Sequence, residues 1–464
     1  MPVMHDLIAT LKSALGDAAV LTGDDIGARH RVDFSHENEC APAAVVRPAS
    51  TEEVAAVLAA CHRARQPVVV QGGLTGLAGG ATPQPGEIAL SLERMSGIET
   101  VDRGAETVTA LAGTPLAVVQ AAAVDAGLFF PLDLGARGSC TIGGNIATNA
   151  GGNQVIRFGM MRDLVLGLEA VLADGTIVSS MNDLIKNNAG YDLKQLFIGT
   201  EGTLGVVTRA VLRLFPKLPS KVTALCALRS FDQTVALLRS LQMRMEGSLS
   251  AFEVMWESYF HYVLDHVKTT SSPFDERYAL YALIEIEGHD QTADRERLEE
   301  ALGGALQSAI IADAAVAQSE REAQALWTIR DAIGEITPTL QPLNAFDVSL
   351  SLDAMPEFLA RVTGEFARLP RPVTNLVFGH IGDNNLHLAV TTHDAHDNHR
   401  LCDIVYTAIG DYRGSVSAEH GIGMLRRGYL HYSRSATEID LMRRLKMALD
   451  PHGVLNPNRV LLPH

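Results

Sequence analysis

The chain has 464 residues, 47% of them hydrophobic, enough apolar material for two or three domains. Its net charge is −16, from 38 basic and 54 acidic side chains, which excludes the concentrated positive field of a nucleic-acid groove. No apolar run reaches the roughly 20 residues that cross a bilayer, and the best candidate, PLAVVQAAAVDAGLFFPL, is broken by Gln120 and Asp125. The N-terminal MPVMHDLIATLKSALGDAA lacks the basic start and apolar heart of a secretion signal and reads as an amphipathic helix. Cys40, Cys61, Cys140, Cys226 and Cys402 are scattered, with no CxxC. That pattern suits a reducing compartment, and a soluble cytoplasmic protein is expected.

Up to residue 217, short β-branched runs alternate with small-residue helices. AAVVRPAS reads as a strand, TEEVAAVLAACHRAR as a helix capped by Ser50 or Thr51, and PVVVQGG as a second strand. EIALSL, TVTALAG, LVLGLEAVLADGTIV and LGVVTRAVLRLF add further strands, with Asp174-Gly175 as a hairpin turn. The mixture predicts an α+β domain rather than a purely parallel sheet. The prolines and lysines of LFPKLPSK mark a boundary, giving domains over 1–217 and 218–409, with 410–464 as a closing segment. That segment holds a helix, ATEIDLMRRLKMALD, stopped at Asp450-Pro451.

Three segments of the first domain are dense in glycine. QGGLTGLAGG, Gln71 to Gly80, follows a strand, so its amides can approach an anion. Its glycines do not follow GxGxxG, although Glu93 lies where a Rossmann fold keeps its ribose acid, and an NAD reading stays open. GSCTIGGNIATNAGGN, Gly138 to Asn153, exposes backbone to something flat or charged, and GTEGTLGVV has the same texture. Together they predict a large extended ligand, of dinucleotide size.

With PLDLGARGSCTIGGNIATNAGG, GYDLKQLFIGTEGTLGVVT and HGVLNPNR, the chain resembles the FAD-linked D-2-hydroxyacid dehydrogenases of the vanillyl-alcohol oxidase (PCMH-type) flavoprotein group. That family includes enzymes for D-lactate, D-2-hydroxyglutarate and glycolate. The resemblance runs from about residue 40 to the C-terminus. It implies a two-subdomain FAD-binding domain, a cap domain with an antiparallel sheet flanked by helices, and a C-terminal segment returning to the FAD domain. It also implies FAD held by Gln71, Gly72, Gly73, Leu74, Thr75, Gly76, Leu77, Pro131, Gly138, Ser139, Gly143, Gly144, Asn145, Asn149, Gly151, Gly152, Glu201, Gly202, Val207 and Asn456. The first loop has no histidine or cysteine for a covalent flavin link, so the FAD is expected to be dissociable.

Two histidines bound the run GHIGDNNLH. Spacing alone decides nothing, because 16 histidines in 464 residues give about half a pair at any separation by chance. GDNN is turn chemistry and its flanks read as strands, so a hairpin would set His380 and His387 opposite each other, about 5 Å apart at Cβ. In SAEHG, Glu419 and His420 would point apart on an extended chain, one toward an ion and the other toward a substrate. A polar hairpin with surface histidines is the alternative. The family resemblance assigns His380, His387 and Glu419 to a divalent metal, Zn²⁺ first with Mn²⁺ or Fe²⁺ accepted, and His420 to the catalytic base that also meets the substrate. The histidines of THDAHDNHR read as a solvated loop.

By the same resemblance Arg330 binds the substrate carboxylate, where local sequence alone suggests an exposed helix arginine. The implied reaction is oxidation of a D-2-hydroxyacid to the 2-oxoacid, with hydride passing from C2 to flavin N5 and metal assistance. Members acting on dicarboxylates carry a threonine, a lysine and an asparagine where this chain has Gly334, Ala345 and Ala389. D-Lactate or a larger apolar D-2-hydroxyacid is therefore expected, with D-2-hydroxyglutarate or D-malate as the alternative. A sugar or lactone oxidase of the same fold, an NAD-dependent dehydrogenase and a non-catalytic metal-binding module remain rivals. Electrons must leave for an external acceptor, a quinone, a cytochrome or an electron-transfer flavoprotein. The oligomeric state is open, and a homodimer is compatible with the sequence.

Overall fold

The computed structural model describes residues 2–462. They form two compact units, one of residues 2–152, 159–217 and 419–462, the other of Asn153–Phe158 and Leu218–Ala418.

The first unit holds strands β1 (Val20–Leu21), β2 (Ala44–Val46), β3 (Val68–Gln71), β4 (Ile88–Ser91), β5 (Ile98–Asp102), β6 (Thr107–Leu111), β7 (Leu128–Phe129), β8 (Val165–Val171), β9 (Ile177–Ser180), β10 (Val206–Arg213) and β11 (Phe215–Pro216). One sheet has the order β1-β2-β4-β3 and pairs β2, β4 and β3 in parallel. These strands are apolar on both faces, as a covered parallel sheet requires. The crossover helix Thr51–Ala64 starts at Ser50, whose hydroxyl accepts from the Glu53 amide. The second sheet, β5-β6-β10-β8-β9, is antiparallel, and Asp174-Gly175 turns β8 into β9. One apolar cluster joins both sheets, with Val46, Val68 and Leu90 from the first and Val108, Leu168 and Leu212 from the second. The strand–helix mixture predicted from the sequence is present.

The C-terminal helix Ala436–Leu449 opens with a capping box between Ser435 and Glu438. Beyond it Leu455 bridges Val68 in parallel, so the tail extends the first sheet at β3. Arg459, fully buried, meets Glu87 on β4's approach with Nη2–Oε2 at 2.8 Å and fixes the tail there.

The second unit is built on β12 (Ser220–Leu228), β13 (Leu249–Trp256), β14 (Leu280–Gly288), β15 (Asp313–Val316), β16 (Asn344–Ser349), β17 (Thr374–His380) and β18 (Asn385–Thr391). They form a seven-stranded antiparallel sheet of order β15-β12-β14-β13-β17-β18-β16. Helices Glu257–His266 and Glu320–Asp331 cover part of one face, where Tyr259, Phe260, Ile329, Phe378 and Ala389 share an apolar cluster.

Removing the charge of Glu87 leaves Arg459 buried and uncompensated. Glu87→Gln is expected to destabilise the first unit by about 3–5 kcal/mol, read as a lower urea midpoint against the wild-type protein.

Candidate active site

In the first unit β3 delivers the chain into the loop that begins at Gly72. A Cβ on Gly73 would lie 2.0 Å from the Ser139 carbonyl oxygen, so the two glycine segments meet backbone to backbone. Gly152 closes the second segment at φ +139, where its own Cβ would be 2.2 Å from the Asp133 oxygen. Among the described residues, no backbone amide from Gly72 to Gly80 donates to a protein acceptor. The Thr141 hydroxyl is buried and also has no partner there. A row of undirected N–H groups beside an orphaned hydroxyl is complementary to a ligand rich in acceptors, as a dinucleotide pyrophosphate is. FAD fits this cradle by that test. Thr141 was missed in the sequence, where its hydroxyl looks like an ordinary helix start.

Several polar side chains expected at FAD also make hydrogen bonds inside the fold. Gln71 donates to the His30 and Ala81 carbonyls at 3.0 and 3.1 Å. The Asn149 Oδ1 accepts from the Arg162 amide, and Asn145 donates to the Cys140 sulfur. Asn456 accepts from the Val70 amide at 2.8 Å and donates to the Glu201 carbonyl at 2.6 Å. The Glu201 carboxylate accepts from the Ile422 and Gly423 amides at 2.7 and 2.8 Å. Burial pushes this carboxyl upward, against the pull of those amides and of Arg426. These residues shape the cradle from beneath. Leu74, at φ 61, and Thr75, Gly76, Leu77, Gly138 and Ser139 lie on its exposed or half-buried loops, and Gly144 is half-buried in the short helix Ile142–Ala147. Pro131, Gly143, Gly151, Gly202 and Val207 are buried around it. Glu93 pairs with Arg29 and Arg47, and the first loop opens no helix, so the Rossmann arrangement is absent.

In the second unit β17 and β18 form the expected hairpin, with Asn384 in the left-handed region at φ 70. The register differs from the direct pairing expected. His387 faces Phe378, and His380 lies one diagonal step away with ring centroids 5.2 Å apart. A short 3₁₀ turn, Ile381–Asp383, takes up the extra residues. Both histidines are buried, at 6% and 9% exposure, so the surface-turn alternative fails.

Arg330, at the end of helix Glu320–Asp331, is also buried rather than exposed. Its Nε donates to Glu253 Oε2 at 2.7 Å, while His380 Nδ1 lies 2.6 Å from Glu253 Oε1. A carboxylate only accepts, so Nδ1 carries the hydrogen, and Nε2 is the nitrogen that offers a lone pair whenever the ring is neutral. Arg330 Nη2 is 3.4 and 3.3 Å from the two ring nitrogens, over the edge between them rather than along that lone pair. Burial alone would raise the Glu253 carboxyl, but the His380 and Arg330 charges hold it below its ordinary value. Glu253 is the residue that sequence reading missed; in AFEVMW it looks like one polar position in a buried strand.

Asp347 on β16 faces His387 in register and is fully buried. Its Oδ2 accepts from the Ala418 amide at 3.1 Å and from the Ser417 hydroxyl at 3.2 Å. Two imidazoles with buried carboxylates nearby form a donor set suited to a divalent ion, with Glu253 orienting the His380 ring and Asp347 Oδ1 3.8 Å from His387 Nδ1. Glu419 and His420 follow Ala418 directly and begin the last segment of the first unit, both half-buried. In that segment Glu201 holds Ile422 and Gly423 just beyond them. Of the histidines at 393, 396 and 399, the last lies in helix Asn398–Asp411 and the others in the turns before it, and among the described residues they form no metal-binding group.

Residues 42–180 match the family model of the FAD binding domain, and residues 217–460 that of the FAD linked oxidases' C-terminal domain. A probable mitochondrial D-2-hydroxyglutarate dehydrogenase of Oryza sativa subsp. indica is 36% identical over 98% of this chain and 82% of its own. The D-2-hydroxyglutarate dehydrogenase of Xanthomonas citri pv. viticola is 40% identical over 91% of this chain and 90% of its own. The chain belongs to the FAD-linked D-2-hydroxyacid dehydrogenases. This FAD-dependent oxidoreductase family shares its fold with p-cresol methylhydroxylase, which superposes with TM-score 0.78 at 15% identity over 100% of this chain and 97% of that one. Alkyldihydroxyacetonephosphate synthase gives 0.75 at 17% identity, over 97% and 85%. The PCMH-type fold expected for the family is therefore present.

A methyl group at Gly73 must displace a carbonyl, not a flexible side chain. Gly73→Ala is expected to cost about 1–3 kcal/mol of packing and to weaken FAD retention roughly tenfold or more, read from the flavin-to-protein absorbance ratio after gel filtration.

Proposed function

We propose that this dehydrogenase oxidises a D-2-hydroxyacid with an apolar side chain, D-lactate or a larger homologue, with help from a divalent metal. The observation that carries the substrate class is the row next to the histidines. Along β18, Ala389 shares the face of His387; it pairs with Ala345 on β16 and Leu376 on β17. Leu376, Phe378, Ala389, Ile336 and Leu340 lie in one apolar cluster. On the helix side, a Cβ at Gly334 would meet nothing within 4 Å. The face thus passes from charged groups to the apolar row of Ala345, Ala389 and Leu376, none of which could pair with a second carboxylate. Desolvating such a carboxylate unpaired would cost at least about 1–3 kcal/mol.

FAD, non-covalently held by the first unit's cradle, supplies the two-electron acceptor. A divalent ion, Zn²⁺ foremost, held by His380, His387 and Glu419 supplies Lewis acidity that lowers the substrate hydroxyl pKa. Arg330, fixed by Glu253, offers its remaining guanidinium hydrogens to the substrate carboxylate. His420, as the neutral imidazole, takes the hydroxyl proton. The Asp347 and Glu201 anchors hold the chain on either side of Glu419 and His420. The five cysteines are free, as in a reducing cytoplasm, and no helix among the described residues is long and apolar enough to cross a membrane. Electrons leave through an external quinone, cytochrome or flavoprotein.

The names of the relatives favour a second reading, D-2-hydroxyglutarate. Anaerobic flavin bleaching and steady-state rates with D-lactate, D-mandelate, D-malate and D-2-hydroxyglutarate separate the two. The monocarboxylates are expected to exceed the diacids in kcat/KM by about tenfold or more; the reverse order would establish the second reading. Dialysis against a chelator is expected to lower kcat at least about 100-fold with the flavin spectrum retained. Zn²⁺ or Mn²⁺ should restore the rate, and activity unchanged by chelation would remove the metal from the account.

A further inference from the structure

Asn385 is 3% exposed, yet among the described residues neither Oδ1 nor Nδ2 has a hydrogen-bond partner. Its backbone pairs with Ser349 in the β16–β18 ladder, and the left-handed position of the turn belongs to Asn384. Neither the turn nor the ladder needs its carboxamide. Buried polar groups are almost always bonded, and a leucine of similar volume would remove the cost of burying two unbonded atoms. Strand alternation sets Asn385 on the face of His387, two residues away, on the side opposite the apolar Ala389. An unbonded amide there is complementary to a ligand at the histidine pair.

We propose that Asn385 is a substrate-binding residue whose Nδ2 donates to a carboxylate oxygen of the bound 2-hydroxyacid, sharing that group with Arg330. Oδ1, an acceptor only, takes a hydrogen from a water carried in with the ligand. The inference rests on the D-2-hydroxyacid reading above and deepens it. Arg330 supplies charge for the carboxylate; Asn385 supplies a short neutral donor that fixes which way the carboxylate plane lies.

The test compares Asn385→Leu and Asn385→Asp with the wild-type holoenzyme. Titration calorimetry uses pyruvate and the 2-oxoacid of whichever hydroxyacid turns over fastest, and Tm is measured without ligand. Asn385→Leu is expected to bind the 2-oxoacid about tenfold more weakly while its ligand-free Tm stays level or rises. Asn385→Asp should lose about 100-fold or more, since its carboxylate repels that of the ligand. Binding by Asn385→Leu within about twofold of wild type, or a clear fall in its Tm, would overturn the inference and leave the function standing. A wild-type flavin that bleaches with no D-2-hydroxyacid would overturn both.

Discussion

A carboxylate with 1% of its side chain exposed survives only where positive charge and N–H donors meet it, and Glu253 meets both. Arg330 reaches one oxygen from a helix and His380 reaches the other from the end of β17. The dependence runs in all directions. Arg330 lies against Phe378, with its guanidinium carbon 5.2 Å from the ring, and could not be buried there without a counter-charge. His380 owes its tautomer to the same carboxylate. One glutamate on β13 therefore sets the geometry of the guanidinium and the imidazole together, and neither can move without unpairing the other.

The first unit solves its problem differently. Its cradle offers backbone and one hydroxyl, while the polar side chains around it work as struts. Glu201 shows the logic. Its carboxylate touches the amides of Ile422 and Gly423, and its carbonyl takes the Asn456 amide, so one residue ties the third glycine segment to the C-terminal tail. Asp347 does the matching task at Ala418 in the second unit. Between those two anchored points lie Glu419 and His420. Both anchors act on the residues that flank this dipeptide, so its backbone is fixed from either side.

What was legible in the sequence follows from range. The strands, the Asp174-Gly175 hairpin, the Ser50 cap and the turn at GDNN rest on neighbours within a few residues, and the structure has them. The long glycine segments announced a large ligand because small residues cannot fill a core. What failed needed distant partners. The diagonal placement of His380 and His387 depends on a 3₁₀ turn that GDNN permits but does not specify. Arg330 in ALWTIRDAIGE has the look of a solvent-facing arginine until Glu253, on another strand, neutralises it. Glu201 and Asn456 also bond within the fold, Glu201 to the Ile422 and Gly423 amides and Asn456 to the Val70 amide, partners that their own motifs do not reveal.

Strand alternation explains how so small a change in sequence could redirect specificity. One face of β16, β17 and β18 carries Asp347, His387 and Phe378 in one row and Ala345, Ala389 and Leu376 in the next. The first row belongs to chemistry that every 2-hydroxyacid shares. On the proposed reading, the second would meet the part of the substrate that differs between one hydroxyacid and another. Because successive rows are independent side chains on a fixed backbone, polar residues at 345 and 389 would alter the tail pocket without disturbing the register that holds the histidines. In the present chain those positions are methyl groups, and a charged group set unpaired against that row would carry the cost of its own desolvation.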